Sequence, residues 1–351
     1  MYRRTFLTGA ALLCASAQAG IVSGKPREEL IDSFARKENF QGVVLIGKAG
    51  KPIYLRTVGF ADIEAQKPAK LETPYPIASI SKWLTSLALL KLQEAGRIDL
   101  EAPLTRYLKT YRADTGDKVR LRHLMTNISG IPNGFAPLLK TNPGAMQIDI
   151  STGEAVQRYC SGDLKFAPGT AFDYTPTNWM LLIAVIEAVT GKPYAAVMAE
   201  MVSGPLGLKH TTTVLPADAA IGYRSISPLQ RQTMEEIAPY FMASGGFIST
   251  AGDLLSAAHQ VFDGGFLAPA SKRALITVGW AEESYALGGR VKSLFVDGMP
   301  RVFAWETGRT FGYRSVVGHR FDDQTTVVVL NNTSVSQRAM DEFAYSLFGQ
   351  M

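Results

Sequence analysis

Strand signals gather at the two ends of this 351-residue chain with a helical stretch between them, and that separation sets most of what the chain can fold into. Near the start, Gly42-Val43-Val44-Leu45-Ile46-Gly47 and Pro52-Ile53-Tyr54-Leu55 flank Ala49-Gly50-Lys51, two apolar runs around a tight turn that read as a hairpin. Near the end, Val302-Phe303-Ala304-Trp305, Ser315-Val316-Val317-Gly318 and residues 325–330 are β-rich, and Asp322-Asp323 supplies a turn. Amphipathic helices are expected at Arg27 to Glu38 and from about Ser336 to Phe348. The simplest arrangement is one antiparallel sheet formed by both chain ends and flanked by helices, with residues about 105–240 as a mostly helical inserted domain. That is an α+β fold.

Composition narrows the function classes. Apolar residues make up 46% of the chain and charged ones 19%, the values of a packed soluble body and far from disordered or multi-span membrane chains. The formal charge is +5, basic residues are scattered, and none interleave with aromatics in a cluster, so no nucleic-acid partner is expected. Cys14 and Cys160 are the only cysteines, and His123, His210, His259 and His319 stand far apart. No metal site and no cofactor are expected from such a set.

The amino terminus reads as an export signal. Arg3-Arg4 precede an apolar stretch ending at Leu13, and Ala17-Gln18-Ala19 precede Gly20, a pattern that places a signal peptide at 1–19 and cleavage after Ala19. Arg3-Arg4-Thr5-Phe6-Leu7 also fits a twin-arginine leader, the alternative being the general secretory route. The expected product is a domain of residues 20–351 that is periplasmic or extracellular, with no stable membrane span. Cys14 would leave with the leader and Cys160 would be a lone thiol.

Chemistry enters at Ser79-Ile80-Ser81-Lys82. From Ser79 the pattern turns helical, with Trp83, Leu84, Leu87, Leu90 and Leu92 covering most of the circumference until Glu94-Ala95-Gly96, the mark of a buried helix. A serine and a lysine three residues apart project from one face of such a helix. A desolvated amine can take the hydroxyl proton, and the amino end of a helix favours negative charge developing beside it. The competing reading has Ser79 or Ser81 as a plain N-cap and Lys82 in solvent.

The surrounding blocks favour the chemical reading. Ile77 through Lys82, Leu92 through Leu100, Leu124-Met125-Thr126-Asn127-Ile128-Ser129-Gly130-Ile131-Pro132, and Ser244 through Leu254 together resemble, in the right order and over most of the exported part, the class C β-lactamase and penicillin-binding esterase family. The resemblance implies a Ser79 nucleophile with Lys82 beside it, and a Tyr-x-Asn element whose tyrosine works with the lysine as base. The matching stretch is Phe172-Asp173-Tyr174-Thr175-Pro176-Thr177-Asn178-Trp179, so the implied tyrosine is Tyr174. It further implies a strand motif at the cleft edge, usually Lys or His, then Thr or Ser, then Gly. Here that motif is Glu306-Thr307-Gly308, and the N–H of Arg309 would join that of Ser79 in an oxyanion hole.

Two departures bear on the substrate. Pro176 replaces the asparagine that holds a substrate amide in the family, and Asn178, two residues on, is not its equivalent. Glu306 replaces the cation that attracts the carboxylate of penicillins and stem peptides, so a carboxylate at this position is expected to repel such ligands. The expectation is a serine hydrolase for ester or amide bonds in a small-molecule or peptide-like acyl substrate, neutral or cationic, with weak or absent β-lactamase activity. The alternatives are a D-peptidase or β-lactamase, and a non-catalytic member of the fold.

Overall fold

A computed structural model describes residues 25–142, 144–232 and 235–349; the expected leader and Cys14 lie outside them. Six strands form the main sheet: β1 (Gly42–Lys48), β2 (Lys51–Val58), β3 (Arg290–Val296), β4 (Met299–Thr310), β5 (Tyr313–Arg320) and β6 (Thr325–Asn331). Their spatial order is β2-β1-β6-β5-β4-β3 and every neighbouring pair is antiparallel. β1 pairs with β6 from Gly42 opposite Asn331 to Lys48 opposite Thr325, so the two chain ends meet in the middle of the sheet, as the distribution of strand signals requires.

The β1–β2 hairpin turns on Ala49 and Gly50, both with positive φ, the conformation that matches the right-handed twist of the flanking strands. β1 and β6 are buried at almost every position, because helices cover both faces of the sheet. On one face α1 (Lys25–Glu38) and the carboxyl-terminal helix Gln337–Phe348 pack Ile31, Phe343 and Leu347 against Val44, Val327 and Trp305. On the other face α2 (Ile80–Glu94) and the helix Ala251–Phe262 cover Val43, Leu45, Val317 and Val328. Neighbouring strand residues point to opposite faces. Trp305 therefore lies in the outer core, while Ala304 and Glu306 turn toward α2.

Twelve of the fifteen residues of α2 are buried, Ser81, Lys82, Thr85 and Ser86 among them. A second apolar helix, α3 (Pro176–Thr190), has Thr175 as N-cap, Pro176 in its first turn and Gly191 as a left-handed C-cap with φ 71°, which glycine adopts without a Cβ clash. It packs with the short helices of the middle region. That region also holds a hairpin, Gly222–Ile226 with Leu229–Gln232, whose polar alternation gave no clear strand signal. No single helix among the described residues is long and apolar enough to cross a membrane, and no group of His, Cys, Asp or Glu among them could hold a metal ion.

Candidate active site

The start of α2 presents Ser79 to a cleft. Ala78, just before it, is held at φ +46°, a left-handed conformation that costs a non-glycine residue on the order of 1 kcal/mol and persists only where the surroundings impose it. Ser79 occupies the N-cap position but its side chain makes no capping bond, so its hydroxyl is not spent on the backbone. Ser81 takes the structural role instead: its Oγ donates to the Ala78 carbonyl at 2.6 Å and accepts from the Phe247 N–H at 3.0 Å. The plain capping reading of this tetrapeptide therefore fails for both serines: Ser79 makes no side-chain cap bond, and Ser81, inside the helix, ties its first turn to the Phe247 segment.

Lys82 is only 3% exposed, so the alternative that places it in solvent also fails. Its Nζ donates to Ser79 Oγ at 3.1 Å and, at closer range, to the carbonyl of Ser244. The rings of Tyr174 and Trp179 lie 4.9 Å and 5.9 Å from it. No carboxylate oxygen stands within ion-pair distance of the amine among the described residues. A buried amine held by a serine hydroxyl, a carbonyl and two aromatic faces has lost most of its water.

Tyr174 lies 42% exposed on the cleft wall, immediately before α3. Its ring meets that of buried Tyr285 edge-on, at 6.1 Å between centroids and 81° between planes, and Tyr285 also packs against Phe172 at 5.4 Å. Burial first, and then the neighbouring Tyr174, push the Tyr285 phenol well above its ordinary range. Tyr285 thus stays neutral and acts as a packing surface that orients Tyr174. Sequence inspection did not single it out, because nothing local marks it.

The two departures resolve differently. Pro176 lines the cleft, while Asn178 is fully buried: it accepts from Ser129 Oγ at 2.6 Å and donates to Asn127 Oδ1 at 3.0 Å. Its amide is consumed in holding the 127–129 loop, in agreement with the view that it cannot take over from the missing asparagine.

Glu306 requires a correction. It was expected to present a repelling carboxylate to substrate, yet it is 5% exposed and does not line the cleft. Its oxygens lie against the backbone at Gly289, where an added Cβ would come within 2.0 Å of them. Burial pushes its carboxyl up to about 8, only partly offset by the nearby charge of Arg290. Near neutral pH it is mostly uncharged, and the electrostatic argument against anionic ligands fails.

Thr307 and Gly308 follow on β4 and are likewise set back from the cleft, while Arg309 reaches it. Gly308 is obligatory here: a Cβ would lie 2.0 Å from the Ile77 carbonyl oxygen and 2.3 Å from Ser315 Oγ. That close approach brings the strand against the turn that leads into Ser79. Ser79, Lys82, Tyr174 and Arg309 all border one cleft of about 770 Å³, with Leu139, Met146, Phe241 and Phe311 as apolar wall. Glu306 packs behind it.

A serine, a buried amine and a tyrosine on one cleft of an α+β frame of this topology point to a class, and comparison with known proteins shows the family. The chain belongs to the Beta-lactamase family, whose family model matches residues 27–348. It is similar to esterase EstB of Burkholderia gladioli, 31% identical over 194 residues, which are 52% of this chain and 49% of that protein. It is also similar to the human mitochondrial serine beta-lactamase-like protein LACTB, 27% identical over 284 residues, 61% of this chain and 51% of that one. The matches therefore span about half the length of these two relatives. Among solved structures, the octameric penicillin-binding protein homologue from Pyrococcus abyssi superimposes with a TM-score of 0.78 at 25% identity, covering 92% of this chain and 77% of that one.

Proposed function

We propose that this chain is a serine hydrolase that cleaves ester or amide bonds through an acyl-enzyme on Ser79. The observation that carries the reading is the buried Lys82 amine 3.1 Å from Ser79 Oγ. Ser79 Oγ attacks the substrate carbonyl and its proton passes to the Lys82–Tyr174 pair. The tetrahedral oxyanion is held by the backbone N–H groups of Ser79 and Arg309. Collapse expels the alcohol or amine, which takes the proton back from the pair, with Tyr174 as the exposed member nearest bulk solvent. Water then attacks the acyl-enzyme by the same route and releases the acid.

Esters are favoured over amides. No side-chain amide stands at Pro176 to grip a substrate amide, and Asn178 is committed to Ser129 and Asn127. Weak β-lactamase activity is expected on that ground alone, since Glu306 no longer supports it. Export to the periplasm or beyond by a leader at 1–19 completes the proposal.

The test is covalent. Purified protein is incubated with a fluorophosphonate and, separately, with penicillin, and the labelled peptide is found by mass spectrometry. Phosphonate labelling of Ser79, lost in Ser79→Ala and reduced in Lys82→Ala, is the expected result. A folded protein labelled by neither reagent would overturn the reading in favour of a non-catalytic member of the fold, and stable labelling by penicillin would restore the β-lactam alternative.

A further inference from the structure

Three arginines line the Ser79 cleft, and no acidic residue does. Arg309 is the last but one residue of β4, Arg314 the second of β5, and Arg224 comes from the Gly222–Ile226 strand of the small hairpin. Arg309 and Arg314 are direct cross-strand partners, a position where like charges oppose pairing. All aspartates and glutamates of the chain fall among the described residues, and none forms an ion pair with any of these three. Arginines elsewhere on the surface, such as Arg112, Arg158 and Arg301, are paired.

Arg314 is the most constrained. Its Nη1 donates to the carbonyls of Thr310 and Tyr313 at 2.9 Å and 2.7 Å, which fixes the plane of the group. Its Nε is buried without a hydrogen-bond partner. Burial, and then the charge of Arg309, hold its pKa below the ordinary arginine value. A half-buried cation fixed opposite a like charge, with unused donors and no counter-ion, is destabilising unless something anionic completes it.

We propose that Arg224, Arg309 and Arg314 form an oxyanion subsite of the cleft, which takes a carboxylate or phosphate-type group carried by the substrate away from its scissile bond. The planar forks of arginine suit both anions. The apolar wall of Leu139, Met146, Phe241 and Phe311 accommodates the hydrocarbon between the two polar ends. The substrate class is thus an ester of amphipathic character with one negatively charged end, the reverse of the sign expected from Glu306. As a statement about substrate, this rests on the hydrolase reading above.

The experiment compares p-nitrophenyl esters of glutaric acid and 4-phosphonobutyric acid with the valerate ester, their neutral counterpart, and 3-acetoxybenzoate with phenyl acetate to place charge on the leaving side. At least one charged ester is expected to exceed its neutral partner in kcat/KM by about tenfold or more, and about 1 M salt is expected to erode the advantage. Arg224→Gln with Arg314→Gln should bring that ratio to within about twofold, whereas Arg→Lys at both positions should keep part of it. A wild-type ratio near one for every pair, or a ratio the double glutamine variant leaves unchanged, overturns the subsite. If no ester is turned over, calorimetry on Ser79→Ala separates the two claims. Tighter binding of glutaric acid monoanilide than of valeranilide keeps the subsite while the hydrolase reading falls, and equal binding overturns the subsite.

Discussion

Two residues of one strand, three positions apart, bear opposite formal charges and have opposite fates. Glu306 turns inward under Gly289, is nearly solvent-free, and holds its proton up to about pH 8. Arg309 reaches the cleft with Arg314 beside it and no acid to neutralise either. Read from the letters alone, the strand offers a negative cleft edge. Folded, it keeps a neutral Glu306 behind the cleft and offers a positive edge at Arg309, because burial decides whether a carboxyl ionises and arginine stays charged under nearly any burial.

The contrast is sharpened most by Glu306→Lys, which places the usual family cation where the chain buries a neutral acid. An uncompensated ammonium beside Arg290 should cost about 3–5 kcal/mol of stability, read as a large drop in denaturant midpoint. A loss below about 1 kcal/mol would mean that Glu306 has access to water after all. Glu306→Gln probes the same burial through pH. Between pH 4.5 and about 8 the unfolded acid is ionised and the folded one is not, so this group makes wild-type stability fall as pH rises through that window. The linked change is on the order of 5 kcal/mol at most. Thermal melts should show the glutamine variant gaining on wild type from pH 5 to pH 8, and parallel curves would contradict the buried neutral acid.

Gly308→Ala tests the turn between the two ends. Its Cβ would meet the Ile77 carbonyl oxygen, a backbone atom that cannot easily yield, and about 2–3 kcal/mol of destabilisation is expected. Ester turnover should fall more than stability accounts for, since Arg309 shifts relative to Ser79; unchanged kcat/KM would disconnect β4 from the reaction. The smallest effect belongs to Arg309→Gln. With no ion pair to lose and a repulsion to relieve, its stability should stay within about 0.5 kcal/mol of wild type or rise slightly in the same melts. A clear loss would reveal a structural partner for this guanidinium.

Much of this was legible beforehand, and what was not has a common cause. The β1–β2 hairpin, β5, β6 and both apolar helices announce themselves through local runs of Val, Ile and Leu and through Gly50, Gly96 and Gly191 at their ends. β3 gave no such signal: Arg290-Val291-Lys292-Ser293 is an edge segment, half exposed and paired on one side only. Ser79 and Lys82 were readable because a three-residue helical spacing is itself a geometry. The state of Glu306 was not, since Gly289 and Arg290 reach it only through the β3–β4 pairing. The arginine cluster is partly readable in hindsight. Arg309 and Arg314 straddle Thr310-Phe311-Gly312-Tyr313, a hairpin signature that makes them opposite neighbours, but Arg224 joins them through tertiary structure alone.

The meeting of the two chain ends at β1 and β6 also shapes how the molecule must be made. Until residues 325–331 have been synthesised, Val43-Val44-Leu45-Ile46 is an apolar strand with β2 on one edge and nothing on the other. An open, uncharged edge of that kind pairs readily with other chains, and contacts nearly three hundred residues apart close slowly. A chain interrupted just before β6 would keep Ser79, Lys82 and Tyr174 and still be poorly soluble, so the last strand acts as the stopper that converts a sticky nascent chain into a discrete protein.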